Sequence, residues 1–199
     1  MTPTIAPPLT PWRPQAKKWT CKEFHQLGDM GWFEGKRAIL INGEILEMPG
    51  PNPPHATANC LVDAIIRSVF GSGYFVRVQL PLVLGLSTDP EPDLAVIVGS
   101  PRDFATAHPT TTALAVEISD TTLAFDLGEK ASLYAAGGIA DYWVVDLNNH
   151  QLIVHRSPVR DSAQIHGWGY ADVTTHTQGT TVSPLAAPTG AVAVTDLLP

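Results

Sequence analysis

Four short apolar runs place the tightest limit on what this chain can fold into. They read LAVIV (94–98), ALAVEI (113–118), DYWVVD (141–146) and QLIVH (151–155). Each has the length of a strand. The run at 113–118 is continuously apolar up to Glu117, which implies burial on both faces of a sheet. The helical segments around these runs supply the cover. Thr20-Cys21-Lys22-Glu23 has the form of a capping box, so a short helix runs to about Leu27. Ala58, Leu61, Val62, Ile65, Ile66 and Val69 follow helical spacing within 55–70. A third helix is predicted over Leu123–Ala136, ended by Gly137-Gly138.

Hairpins complete the pattern. Asn42-Gly43 lies between the apolar stretches of residues 37–48, and both turn positions require φ > 0. A further strand is expected over Tyr74–Leu84, a loop over 99–111, and short strands after Arg156. The order helix, hairpin, helix, three strands, helix, hairpin predicts an α/β (α+β) domain around one mixed sheet. Residues 1–18 read as a proline-rich arm and 19–199 as a single domain.

The formal net charge of −7 argues against a grip on nucleic acid through bulk electrostatics. Any such contact must come from a local patch or a metal ion. Cys21 and Cys60 form no C-x-x-C pattern, so neither a zinc site nor a disulfide framework is indicated. No run of 18 apolar residues exists, and the opening residues lack the layout of a signal peptide. A cytoplasmic location with no membrane association is expected.

Two carboxylates occupy apolar strands. Asp93 opens one and Glu117 sits in the next, with one loop between them. Oxygen donors converging at a strand edge suit a hard cation such as Mg²⁺ or Mn²⁺. Spacing alone favours a capped turn or a surface salt bridge. Lys130 falls on the apolar stripe Leu123, Leu127, Lys130, Tyr134 of the third helix, with Asp126 at the edge of that stripe. A buried ammonium needs a carboxylate, and Glu117 is the nearest in the preceding strand. A snorkelling lysine or a local Asp126–Lys130 pair is the alternative. His55 lies in line with Ala58 and Val62, which favours a core or capping role over catalysis. Thr121 and Thr122 are expected to cap the lysine helix, and Tyr142 and Trp143 to lie in the core.

VRVQLPLVL, EPDLAVIVG and AVEISDTTLAFDLGEKASLYAAGGIADYWVVDL together resemble the Uma-two family of prokaryotic restriction-endonuclease-like proteins, grouped by sequence as a domain of unknown function. INGEILEMPGPNPPHATAN is similar to that family's hairpin, proline loop and helix. The likeness runs from about Thr20 to His155. It implies a branch of the PD-(D/E)XK nuclease fold: a restriction-endonuclease-like core with a central mixed sheet flanked by helices and an added N-terminal hairpin. Asp93 then matches the first acid and Glu117 the second. Ser119 stands where the wider superfamily keeps its lysine, and the resemblance moves that lysine to Lys130.

The resemblance further implies a metal-dependent endonuclease that cuts phosphodiester bonds of nucleic acid, DNA before RNA. One Mg²⁺ or Mn²⁺ would be held by Asp93, Glu117 and the backbone carbonyl of Ile118. Glu44, His55, Gln79 and Asp126 are secondary candidates. Where family members carry an acid before the hairpin turn, this chain has Ile39. The alternative is a nuclease fold that no longer cuts and serves as a binding or assembly module. A homodimer is expected, because two strands need two sites.

Overall fold

The computed structural model describes residues 13–199; the opening twelve residues of the proline-rich arm lie outside the described residues. A six-stranded mixed sheet forms the centre. Its strands are β3 (Tyr74–Val78), β4 (Leu94–Val98), β5 (Leu114–Ser119), β6 (Asp141–Asp146), β7 (Gln151–Arg160) and β8 (Trp168–Thr177), hydrogen-bonded in that order. Only β5 and β6 run parallel. This is the α+β core expected, with an antiparallel hairpin, β1 (Arg37–Ile41) and β2 (Glu44–Met48), set apart from the sheet. A short pair, β9 (Thr181–Val182) with β10 (Val192–Ala193), closes the C-terminal end.

The sheet is covered on both faces. Helix α2 (Pro53–Val69) lays Ala58, Val62 and Ile66 against Leu114, Val116 and Ile118 of β5 and their neighbours. On the other face a helical segment beginning at Leu123 and ending at Ala136 packs Ala131 and Tyr134 against Ala95, Ala115, Tyr142 and Val144. Burial on both sides explains why β5 and β6 lack a polar face. Because side chains alternate along a strand, Glu117 falls on the face of the second helical segment, with Ala115 and Ser119.

Helix α1 (Cys21–Asp29) starts at the predicted capping box: the Thr20 side chain accepts from the Glu23 amide and Glu23 accepts from the Thr20 amide. Its Cys21 and Phe24 pack on Ala38 and Leu40 of β1. Ile39 and Ile41, on the opposite face of that strand, meet Leu133. Asn42 and Gly43 take the positive φ values the hairpin turn requires, 47° and 77°. Gly43 is also the only residue that fits, since a Cβ there would lie 3.0 Å from the backbone of Trp19. An isolated bridge between Leu40 and Asp89 ties the hairpin to the segment that enters β4.

Three expectations need correction. The strand predicted over Tyr74–Leu84 stops at Val78, because Gln79 turns into left-handed conformation (φ 49°) and leads the chain off the sheet. The third helix is not uniformly α: Leu123–Phe125 (α3) and Ala131–Ala136 (α4) flank a π turn at Asp126–Lys130. Strand β7 runs past Arg156 to Arg160 and pairs with the ten-residue β8 in one long hairpin, and the short strands expected after Arg156 come only beyond it, as β9 and β10. Both cysteines are free thiols, and no helix among the described residues is long and apolar enough to cross a membrane.

His155 of β7 is buried between the rings of Tyr142 and Tyr170. Burial drives its pKa down to about 4, so it is neutral at pH 7. Between the unfolded value near 6.5 and about 4, the unfolded chain binds the proton and the folded chain does not. Stability contributed by the neutral ring is therefore complete above pH 6.5 and falls as the pH drops through that window. Denaturant unfolding from pH 7 to pH 4 should show the wild type losing about 3 kcal/mol relative to His155→Phe. Equal pH slopes for the two proteins would contradict the burial of a neutral His155.

Candidate functional site

The site forms where β4 and β5 run antiparallel. Leu94 pairs with Val116, so the same register brings Asp93, one residue before β4, opposite Glu117. The two acids are joined through the backbone. The Ile118 amide donates to Asp93 Oδ2 (2.9 Å), and the Asp93 amide approaches Glu117 Oε2 (3.4 Å). In extended backbone the N–H and C=O of one residue point to the same side. The Ile118 carbonyl therefore lies on the β4 side of β5, beyond the point where β4 has ended.

The helical segment brings the remaining charges in. Asp126, Lys130 and Tyr134 follow at four-residue spacing, which keeps them on one face, and all three are buried toward β5. Lys130 Nζ lies 2.9 Å from Glu117 Oε2 and 3.2 Å from Asp126 Oδ1, so the two pairings that the sequence left as alternatives coexist. Asp126 is thus not at the edge of the stripe but 1% exposed within it. Its Oδ2 accepts from Ser119 Oγ (2.7 Å) and Thr122 Oγ1 (2.6 Å). Thr122 precedes α3, but its hydroxyl is committed to Asp126 instead of capping an amide. The Tyr142 hydroxyl donates to the Asp126 carbonyl (2.9 Å), and the Tyr134 hydroxyl to Glu117 Oε1 (2.7 Å). Both tyrosines are core residues with a polar end turned to the site.

His55 and Gln79 complete the surroundings of Asp93. His55 Nε2 is 3.2 Å from Asp93 Oδ2, and Gln79 Nε2 donates to Oδ1 (3.1 Å). The alignment of His55 with Ala58 and Val62 suggests a core position, yet the first turn of α2 opens on a cavity and the ring enters it. The Asn52 side chain, not His55, caps that helix by accepting from the His55 amide. The left-handed turn at Gln79 is what aims its amide at Asp93. Glu44 does not join the site: it is exposed on the far end of the hairpin and pairs with Lys18.

His55, Asp93, Glu117, Asp126 and Lys130 line one small cavity of about 80 Å³, room for a few waters or a hydrated ion rather than an organic ligand. Its mouth is formed by β1 and the Pro49–Asn52 loop, and Ile39 is part of its wall. Sequence reasoning missed Arg37, Glu91 and Asp120, which also line it. The signals existed: Arg37 is two residues from Ile39 on the same strand face, and Glu91 is the acid of the E-P-D block.

The cavity gathers more negative than positive charge. Asp93, Glu117 and Asp126 are 5%, 2% and 1% exposed, around one ammonium that is 4% exposed. Burial pushes Glu117 up to about 8, and Asp93 and Asp126 add to this against the pull of Lys130. Burial opposes the charge on Lys130, but Glu117, Asp126 and Asp93 outweigh it and hold the ammonium well above its ordinary range. Burial also raises Asp93, but the His55 hydrogen bond and charge, the Ile118 amide and Lys130 bring it below its usual value. Lys130 therefore keeps its proton, and the surplus negative charge is relieved at Glu117, whose carboxyl tends to take up a proton at neutral pH. Asp126 Oδ1 makes no hydrogen bond. Among the described residues no group of three or more His, Cys, Asp or Glu side chains is disposed to cage a metal. The oxygen donors at hand are two carboxylates and a backbone carbonyl, a partial set that suits a hard cation completing its sphere with water.

A family model described as "Putative restriction endonuclease" (Uma2) matches residues 21–195. No curated protein matches the chain. Among solved structures, a crystal structure described as a putative nuclease belonging to DUF820, from Anabaena variabilis, is similar at a TM-score of 0.65. The two share 17% identity over 89% of this chain and 96% of that one, a likeness of fold. With the mixed sheet, the flanking helices and the matched span together, the chain belongs to the Uma2 family of restriction-endonuclease-like proteins.

Proposed function

We propose that this protein is a metal-dependent endonuclease that hydrolyses phosphodiester bonds of DNA. The observation that carries the reading is the convergence of Asp93, Glu117 and Lys130 in one buried, negatively charged cavity. Asp93, Glu117 and the Ile118 carbonyl would hold one Mg²⁺ or Mn²⁺. Bound there, the cation supplies a water of lowered pKa and neutralises charge on a phosphate.

The chain's own groups do the rest. Gln79 and the Ile118 amide fix the Asp93 carboxylate. Tyr134 fixes Glu117 through Oε1, leaving Oε2 toward Lys130. Lys130, anchored by Asp126, is a proton donor at Nζ beside the reacting phosphate and offsets the negative charge that builds there. His55 donates from Nε2 to Asp93 Oδ2 and keeps that oxygen oriented. Water is limited by the apolar wall of Ile39 and Met48.

A second reading has specific support. Ile39, only 2% exposed, stands in the cavity wall where the family resemblance calls for an acid. A fold with one acid fewer could persist as a binding or assembly module. Glu117→Gln separates the two readings. It keeps an acceptor for Tyr134, and it removes a carboxylate already raised to about 8, so unfolding free energy should change by less than about 1 kcal/mol at pH 7. Titration calorimetry should show Mg²⁺ or Mn²⁺ binding to the wild type and none to the variant. Plasmid cleavage should fall at least about a hundredfold. A wild-type protein that binds neither metal and leaves plasmid intact would sink the nuclease reading in favour of the module.

Cutting both strands of a duplex calls for two copies of this single cavity, which a C₂ dimer supplies. Light scattering on the full chain should give twice the 21.3 kDa chain mass at micromolar concentration. A 21.3 kDa particle at that concentration would count against the dimer.

A further inference from the structure

The cavity contains a second cation that makes no hydrogen bond to the described residues. Arg37 begins β1, and residues 37, 39 and 41 share the strand face that Ile39 turns to the cavity. The guanidinium is 27% exposed, and its nearest carboxylate oxygen is Glu91 Oε2 at 4.0 Å, too far for a hydrogen bond. The other partly buried arginines are committed: Arg77 bonds to the Pro81 carbonyl and His108, and Arg156 to Asp141 and the Ser183 carbonyl.

The adjacent helix entrance cannot take the role of anion binder. Pro53 and Pro54 have no amide hydrogens, and the next two amides, of His55 and Ala56, are taken by the Asn52 side chain and carbonyl. An anion entering this mouth must be met by side chains. Lys130 lies deep, spoken for by two carboxylates, so Arg37 is the cation left at the rim.

We infer that Arg37 grips a backbone phosphate of the DNA duplex beside the scissile one, and that the charge of Glu91, 4.0 Å away, competes for the guanidinium until substrate arrives. This deepens the nuclease reading and rests on it for the identity of the ligand. It also answers the charge problem: a chain with net charge −7 makes its phosphate contact at one point, not through a basic surface.

The test uses the full chain, a fluorescein-labelled DNA duplex and anisotropy at several salt concentrations without divalent metal, with manganese calorimetry in parallel. Arg37→Gln should weaken binding about tenfold at low salt and reduce the log–log salt slope by about 0.9. Arg37→Lys should keep the slope and recover part of the affinity. Glu91→Gln should tighten binding, an effect that a purely structural ion pair would not produce. Manganese should still bind in all three, and circular dichroism should report that each variant is folded. Wild-type affinity and slope in Arg37→Gln, or a wild-type protein that binds no duplex, would overturn the inference. Loss of Arg37-dependent binding while wild-type protein still binds manganese and cleaves would reject Arg37 alone. Arg37-dependent binding without manganese binding or cleavage would reject the nuclease reading alone.

Discussion

Everything in this structure that bears on function turns on one buried ammonium. Lys130 lies within 3.2 Å of two carboxylates, and a third acid, Asp93, stands beside them in the β4–β5 register. Taking three carboxylates out of water around a single lysine is costly, and such an arrangement does not arise to stabilise a fold. Hydrogen bonds from Tyr134, Ser119, Thr122, Gln79 and the Ile118 amide offset part of that cost. What they leave is an excess of negative charge and a raised Glu117, the electrostatic condition under which a divalent cation binds with advantage.

The fold serves that cluster through two departures from regular structure. The π turn at Asp126–Lys130 carries two of the cluster's charges at its ends, Asp126 and Lys130. The left-handed Gln79 ends β3 and returns its side chain to Asp93. Both cost backbone energy, and both lie beside the charged cavity, the place where strain is worth keeping. The hairpin is docked by ordinary means: Ala38 and Leu40 grip α1, and their alternation sends Ile39 and Arg37 to the cavity mouth.

Local chemistry was legible in the sequence, and long-range placement only where charge forced it. The Thr20 capping box and the Asn42-Gly43 turn could be read because a few adjacent residues determine each. The Lys130–Glu117 pair could be anticipated because a buried ammonium has few possible partners. The π turn left no such mark, since DLGEK suits an α-helix as well. His55 was read from its helical alignment, and nothing in that alignment reveals that α2 begins at the edge of a cavity and meets an acid 38 residues on. Strand β8 was hidden by its largely exposed, threonine-rich second half, which has no apolar run to announce it. Arg37 depended on where the hairpin docks, which is set by contacts with α1 and not by the hairpin itself.

The most direct test is where a metal goes. Crystals of the protein soaked in Mn²⁺ and measured at the manganese absorption edge locate the ion without reference to activity. The account predicts one anomalous peak in bonding contact with Asp93, Glu117 and the Ile118 carbonyl, with Lys130 still paired to Asp126. A cavity without manganese and the Lys130–Glu117 pair intact, or an ion bound only elsewhere, would contradict it.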